Sequence, residues 1–385
     1  MKIGFSVAAL SGIRHDMSQY ALPLTHAFPV HADQHQFVLF VLEGDLSMFS
    51  LARTQTQVIP VPESVREPSK NFLWHQLMLP RLARDLQLDV LHVPNHRRMP
   101  WRSPCPTVAT VQPLTASQDR PSFFDRHIAR WLAQRQNEII ADTECARDEA
   151  CACFGLPARR VTVVGNGINH QRFFAAPRES AKAGVAQRHG LDQPFFVYAA
   201  PLEYPESNHL RLIEAFYNFK ARVRSPWKLV LVGREGDGVQ LIKDAIRSSL
   251  LEQDICCLGE VSDAELADLY RAADVFVYPT LRSTNGMIPI EAMACGCPVI
   301  SSDRGPLRET VGRSAATIDP ENPEEILDQM IRMAESAELR EHWRLASLAR
   351  ARCFQWQKTV AGTLEVYGQA MEGSKLGREV FALAH

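Results

Sequence analysis

The sequence predicts an α/β protein built as two tandem doubly wound domains facing a central cleft. Three observations carry this expectation. The chain has 385 residues, long for one core and suited to two domains of ordinary size. Short β-branched runs alternate with helical patterns, as they do where a parallel sheet is covered on both faces. The alternation lapses once, over Gln171–Gln193 (QRFFAAPRESAKAGVAQRHGLDQ), and then begins again.

The elements follow in order. Ile3–Val7 reads as a first buried strand, followed by strands at Phe37–Leu42, Val90–Val93, Val108–Val111, Ile139–Ala141 and Val161–Val164. Phe123–Asn137 and Glu144–Phe154 have helical periodicity. The stretch NFLWHQLMLPRLAR, residues 71–84, is apolar, cationic and helical; its Leu and Met positions suit a core face. It also admits a peripheral membrane contact with a lipid-linked acceptor. Beyond the polar connection, Phe195–Ala199, Lys228–Val232, Ile255–Leu258, Val275–Tyr278 and Val299–Ser301 read as strands, with helices at Asn208–Val223 and Val239–Ser249. Ser262 and Glu265 form a capping box that opens a helix running to Ala273. Parallel sheets bind ligands outside the carboxyl ends of their strands, so the strand-end loops are where a site is expected.

Composition narrows the function classes. Hydrophobic residues make up 46% and charged residues 22%, the balance of a globular chain. A formal net charge of −2 offers no overall attraction to nucleic acid. No apolar run reaches membrane-spanning length, and MKIGFSVAAL lacks the basic region and cleavage site of a signal peptide. The nine cysteines fall inside strand and helix patterns without paired C-x-x-C spacing, which suits a reducing compartment and no zinc site. The expected location is cytoplasmic, with the inner face of the membrane as the alternative.

The longest informative run is Leu258–Ser302, LGEVSDAELADLYRAADVFVYPTLRSTNGMIPIEAMACGCPVISS. With VATVQPLTA, NEIIADTECARDEA, RRVTVVGNGINHQRF, YAAPLEYPESNHLRLIEAFYNFK, KLVLVGREG and SSDRGPLRETVGRSAATIDPENP it forms an ordered set of motifs. The set resembles glycosyltransferase family 4, whose members have two Rossmann-like domains in the GT-B arrangement. The resemblance implies transfer of a sugar from a nucleotide-diphosphate donor to a glycan, lipid-linked or small-molecule acceptor, with retention of configuration and with no metal or other cofactor. It also implies an N-terminal acceptor domain over 1–175, a donor domain over 190–366, and a terminal helix, about 367–385, that returns to the first domain.

The chemistry asks for cations at the departing diphosphate, a carboxylate for the ribose hydroxyls and polar partners for the sugar. Glu291 corresponds to the second acid of the family's Glu-x7-Glu pair, one turn inside a helix expected to open at Pro289. In isolation such an acid would be a solvated carboxylate at a helix start. Ser283 stands at the position of the first acid, and Gln112 at that of the usual His, with Pro113 after it; these two are the candidate catalytic positions. Pro201 and Ser207 occupy the places of the usual Arg and Lys. The remaining donor-side candidates are Gly12, Gly233, Arg234, Gly259, Val261, Arg282, Asn285, Gly286 and Met287. Arg14, His15, His92, His96 and Arg97 are candidates on the acceptor side. Losing two charge-assisted hydrogen bonds costs about 3–6 kcal/mol, so compensating cations are needed. Arg282, Arg234, Arg304 and, on the opposite wall of the expected cleft, Arg14 are the residues available for this, each equally readable as an ordinary solvated arginine.

Three readings stay open on these residues. The chain is an active retaining glycosyltransferase; or a catalytically silent relative acting as a partner subunit or binding module; or an enzyme of the same architecture using an unusual donor.

Overall fold

Two parallel sheets organise the chain. The computed structural model describes residues 1–10, 20–49, 55–111, 123–283 and 285–383. They divide into one unit of Met1–Gly167 with Trp356–His385, and a second of Ile168–Gln355.

In the first unit seven strands, β1 (Lys2–Ser6), β2 (Gln36–Leu42), β3 (Thr56–Val61), β4 (Val90–Val93), β5 (Thr107–Val111), β6 (Glu138–Ala141) and β7 (Val161–Val163), lie in the order β3-β2-β1-β4-β5-β6-β7. All pairings are parallel. Parallel strands need crossovers, and helices α1 (Leu22–His31), α2 (Pro68–Asp85), α3 (Phe123–Ala133) and α4 (Glu144–Phe154) supply them. Strand β3 is absent from the sequence reading because Pro60 interrupts it and its side chains are mostly half-exposed. It is an edge strand, the place where a sheet tolerates proline.

The second unit begins with α5 (Arg178–His189) and continues β8 (Phe195–Ala199), α6 (His209–Val223), β9 (Lys228–Val232), α7 (Val239–Ser249), β10 (Ile255–Gly259), α8 (Asp263–Ala272), β11 (Val275–Tyr278), α9 (Met287–Ala294), β12 (Val299–Ser302), α10 (Pro306–Val311), β13 (Ala316–Ile318), α11 (Pro323–Glu335) and α12 (Ala337–Ala351). Its strand order is β10-β9-β8-β11-β12-β13, again parallel throughout. Half of the capping box forms: Ser262 Oγ accepts from the Glu265 N–H at 3.3 Å, while the Glu265 carboxylate pairs with His189 at 2.8 Å.

The unit boundary falls at Gly167/Ile168 rather than within 171–193. Ile168 and Phe173 are buried in the second core, and α5 is tied to α8 through His189–Glu265 (2.8 Å) and Arg188–Asp268 (2.9 Å). The returning helix α13 (Trp356–Leu383) starts earlier than expected, and Val360, Val366 and Tyr367 lie in the first unit's core.

Helix α2 departs furthest from its pattern. Leu73, Leu77 and Met78 face solvent, while Asn71, Trp74, His75, Gln76, Leu79 and Ala83 are buried. The buried polar groups are all engaged: Asn71 Nδ2 donates to the Ala8 carbonyl (2.9 Å), His75 bonds Ser6 Oγ (2.9 Å), and Gln76 Nε2 donates to the Met99 carbonyl (3.1 Å). Among the described residues no helix is long and apolar enough to cross a membrane.

Candidate functional site

In the second unit the chain starts at the central strand β8, runs outward through β9 and β10, and then returns to β11 on the other side of β8. Connections leaving two such strands turn to opposite faces and open a crevice outside their carboxyl ends. The loops there are residues 200–208 and, among the described residues, 279–283 with 285–286, and they are bonded to one another. The Leu281 N–H donates to the Glu206 carbonyl at 2.9 Å. Asn208 Nδ2 donates to the Pro279 and Pro320 carbonyls, both at 2.7 Å, from a left-handed backbone with φ 60°.

The loop after β11 ends in a built helix start. Gly286 has φ +69°, and a Cβ there would lie 2.2 Å from Thr310 Oγ1. Its N–H donates to Ser283 Oγ at 3.1 Å, and the Met287 N–H donates to Asn285 Oδ1 at 3.3 Å. The helix therefore opens at Met287, not at Pro289. Proline falls in the first turn, where its missing N–H has no helical partner to lose. Ser283, Asn285, Gly286 and Met287 thus gather at one helix start, with Glu291 one turn on.

Glu291 is half-buried. Burial pushes its carboxyl up to about 8; the Asp263 carboxylate pushes the same way and Arg172 opposes it. Arg172 and Asp263 form an ion pair with each other. At neutral pH the unliganded carboxyl therefore holds its proton.

The other donor-side candidates separate into two groups. Gly233 and Gly259 meet at the ends of β9 and β10, where the Gly233 N–H donates to the Gly259 carbonyl at 2.9 Å. A Cβ on Gly233 would lie 2.0 Å from the Ala200 carbonyl oxygen, whereas nothing lies within 4 Å of one on Gly259. Val261 is half-buried just beyond. Ser207 does not face outward: it is 6% exposed, and its carbonyl accepts from the Tyr198 hydroxyl beneath the loop. The cations do not stand free either. Arg282 lies 3.8 Å from Glu206, Arg234 3.4 Å from Glu203, and Arg304 2.7 and 2.8 Å from Asp319 and Glu321. These acids are distant in sequence from their partners or sit in polar loops, and no local pattern marks them.

In the first unit the corresponding reversal lies between β1 and β4. His96 and Arg97 are half-buried at the end of β4. Burial, with Arg97 and Arg98 nearby, lowers the His96 imidazole to about 3. His92 is a core residue rather than an acceptor contact. It is fully buried, with Nδ1 2.7 Å from the Tyr367 hydroxyl and Nε2 2.7 Å from Thr110 Oγ1. Its position inside β4, not after it, points the ring into the sheet's flank. Gly12, Arg14, His15, Gln112 and Pro113 lie outside the described residues.

Residues 27–172 match the family model described as Glycosyltransferase Family 4, and residues 183–348 that described as Glycosyl transferases group 1. The chain is 26% identical over 303 residues to the O-antigen chain mannosyltransferase B of Escherichia coli, covering 76% of this chain and 78% of that one. It is 31% identical over 297 residues to a D-inositol 3-phosphate glycosyltransferase of Streptomyces bingchenggensis (strain BCW-1), covering 73% of this chain but only 64% of the relative. Anabaena Alr3699/HepE, solved in complex with UDP, superposes with a TM-score of 0.76 at 19% identity, over 96% of this chain and 100% of that one. The same protein has also been solved with UDP-glucose. Two parallel α/β units, the ordered motifs around Glu291 and two family models in tandem have one reading: the chain belongs to the family 4-type glycosyltransferases of GT-B fold.

Proposed function

We propose that the protein is a retaining glycosyltransferase that uses a nucleotide-diphosphate sugar, without a metal, and a glycan, lipid-linked or small-molecule acceptor. The observation that carries this is Glu291, on the helix that follows β11, with no side-chain hydrogen bond or ion pair among the described residues. An unpaired, half-buried carboxyl at a strand-end crevice is suited to the two hydroxyls of a ribose, which would replace the water it lost. The open space over Gly259 beside Val261 leaves room for a base.

The departing diphosphate needs positive charge. Arg282 is the best placed to give it. Its contact with Glu206 is long and the side chain is 47% exposed, so the pair is worth about 0–1 kcal/mol and exchanges readily for a phosphate. Arg234 has the same character, whereas Arg304 is held by two carboxylates at short range. Ser283, already accepting from Gly286, keeps a hydroxyl able to bond a sugar hydroxyl.

A silent binding module is the second reading, favoured by the engagement of Ser283 and by the acid beside each candidate cation. Calorimetric titration with UDP, GDP, ADP and TDP, against the matching monophosphates, separates the two. Binding of one diphosphate well above its monophosphate, lost in Arg282→Ala, supports the donor site. Equal binding of both forms removes it.

A further inference from the structure

The first unit holds a recess built from two indole rings and two guanidinium groups. Trp101 and Trp131, each 42% exposed, meet edge to face, with ring centroids 6.4 Å apart and planes at 88°. With Arg102 and Arg135 they line a hollow of about 270 Å³. It lies towards the starts of the strands, not outside their carboxyl ends. Trp131 is on the last turn of α3, and Asn137, two residues past Arg135, exchanges bonds of 2.9 and 3.0 Å with Thr107 at the start of β5.

The walls are held in place. Two buried glutamines grip a single peptide group: Gln136 Nε2 donates to the Pro100 carbonyl at 3.1 Å, and Gln76 Oε1 accepts from the Trp101 N–H at 2.9 Å. Trp101 is thereby set without help from a helix or strand. Arg135 stacks over the Trp131 ring, 3.6 Å from its centroid, and donates to the Trp131 carbonyl at 3.3 Å. Side chains fixed in this way lose little freedom when a ligand arrives. Gln136 also donates to the Leu132 carbonyl at 3.0 Å, so it spans the neighbours of both tryptophans. Its own Oε1 is buried and has no donor, a costly state that a ligand hydroxyl entering between the indoles would relieve.

The lining sets the ligand's chemistry. The negative face of an indole complements the weakly positive C–H face of a sugar ring. Among the described residues neither Arg102 nor Arg135 pairs with a carboxylate, so each is free to take one from a ligand. In the second unit Arg282, Arg234 and Arg304 all lie beside acids. The hollow is smaller than the about 300–1,000 Å³ usual for small-molecule sites, which suits one ring rather than a whole nucleotide.

We propose that this recess is an accessory binding site for an acidic glycan. One sugar ring sits between Trp101 and Trp131, and its carboxylate meets Arg102 and Arg135. The site holds a chain; no bond forms or breaks there. On the functional reading above, on which this clause alone rests, the chain is the acceptor glycan gripped at a second point.

Calorimetric titration of the full chain with trigalacturonate and with a hyaluronan tetrasaccharide, two acidic glycans of different stereochemistry, tests this with no donor present. Methyl-esterified trigalacturonate is the uncharged control, and hexaglutamate the charged control without sugar rings. At least one acidic glycan should bind, more weakly as salt is raised, and neither control should. Arg102→Ala should weaken binding at least about tenfold, as loss of a charge-assisted hydrogen bond does, and Trp131→Ala about threefold or more. Both positions are exposed, and urea midpoints equal to the parent's would show that the variants stay folded. Binding of neither glycan, equal binding of either control, or an affinity that both substitutions leave unchanged overturns the proposal. UDP titrated separately keeps the two readings apart. A chain that binds the glycan through these residues but binds no nucleoside diphosphate sinks the donor reading and leaves this one standing.

Discussion

The hydroxyl of Tyr367 lies 2.7 Å from Nδ1 of His92, a residue 275 positions earlier. The bond ties the last helix to the middle of the first sheet, and the other ring nitrogen passes it on to Thr110 Oγ1, which the Tyr20 hydroxyl meets at 2.9 Å. Every member of this chain of bonds is buried. Tyr367→Phe leaves a buried ring nitrogen without a partner, which costs about 1–3 kcal/mol. The urea midpoint of the first unit should fall accordingly; an unchanged midpoint would show that the bond contributes nothing.

The buried histidines give a second expectation. Burial lowers both His75 and His92 to about 3, against about 6.5 when unfolded. Below pH 6.5 the unfolded chain therefore binds protons that the native state refuses, and stability falls steadily as pH drops from 6.5 towards 3. Urea midpoints measured at intervals across that range should decline. The decline should be shallower in His75→Gln, whose amide cannot charge.

Glu291 has the opposite sign. Its folded carboxyl holds a proton up to about pH 8, while the unfolded one releases it near 4.5. Between those values the unfolded state binds fewer protons, so this group makes the fold less stable as pH rises. Glu291→Gln should raise the urea midpoint at pH 8, with the difference vanishing near pH 4.5, while abolishing turnover or cutting it more than tenfold. A variant that keeps full turnover would remove Glu291 from the site.

If ribose hydroxyls donate to that carboxyl, binding favours its ionised form. Nucleoside diphosphate affinity should then rise as pH approaches 8, with proton release near neutrality. Calorimetry in two buffers of different ionisation enthalpy measures this directly, and identical observed heats in the two buffers would argue against the contact.

The two strand-end glycines differ in a way that substitution can read. Gly259→Ala meets no neighbour and costs about 1–2 kcal/mol for its left-handed backbone alone. Gly233→Ala must also displace the Ala200 carbonyl and should be clearly the more destabilising. Equal losses would mean that the loop after β8 yields freely.

Much of this was readable along the chain. Central strands such as β8, β9 and β11 match their apolar runs because both faces are covered. The edge strands β3 and β13 escaped, one half-exposed and broken by Pro60, the other three residues long. The place of Glu291 on a short helix after β11 was legible through motif spacing. The acids Glu203 and Glu206 beside Arg234 and Arg282 were not, because ion pairs are set by tertiary approach rather than local pattern. Helix α2 reads partly backwards for a related reason: its polar residues answer carbonyls and hydroxyls elsewhere in the unit, and Leu73 and Leu77 are left outside while Leu79 stays in the core.

The discontinuity of the first unit has a consequence for biosynthesis. The ribosome delivers all of Ile168–Gln355 before Val360, Val366 and Tyr367 can reach the strands made at the beginning. The unit begun first is thus closed last. Until the residues beyond Gln355 have been made, the nascent chain carries β4, β5 and β6 without the helix that shields one flank of their sheet.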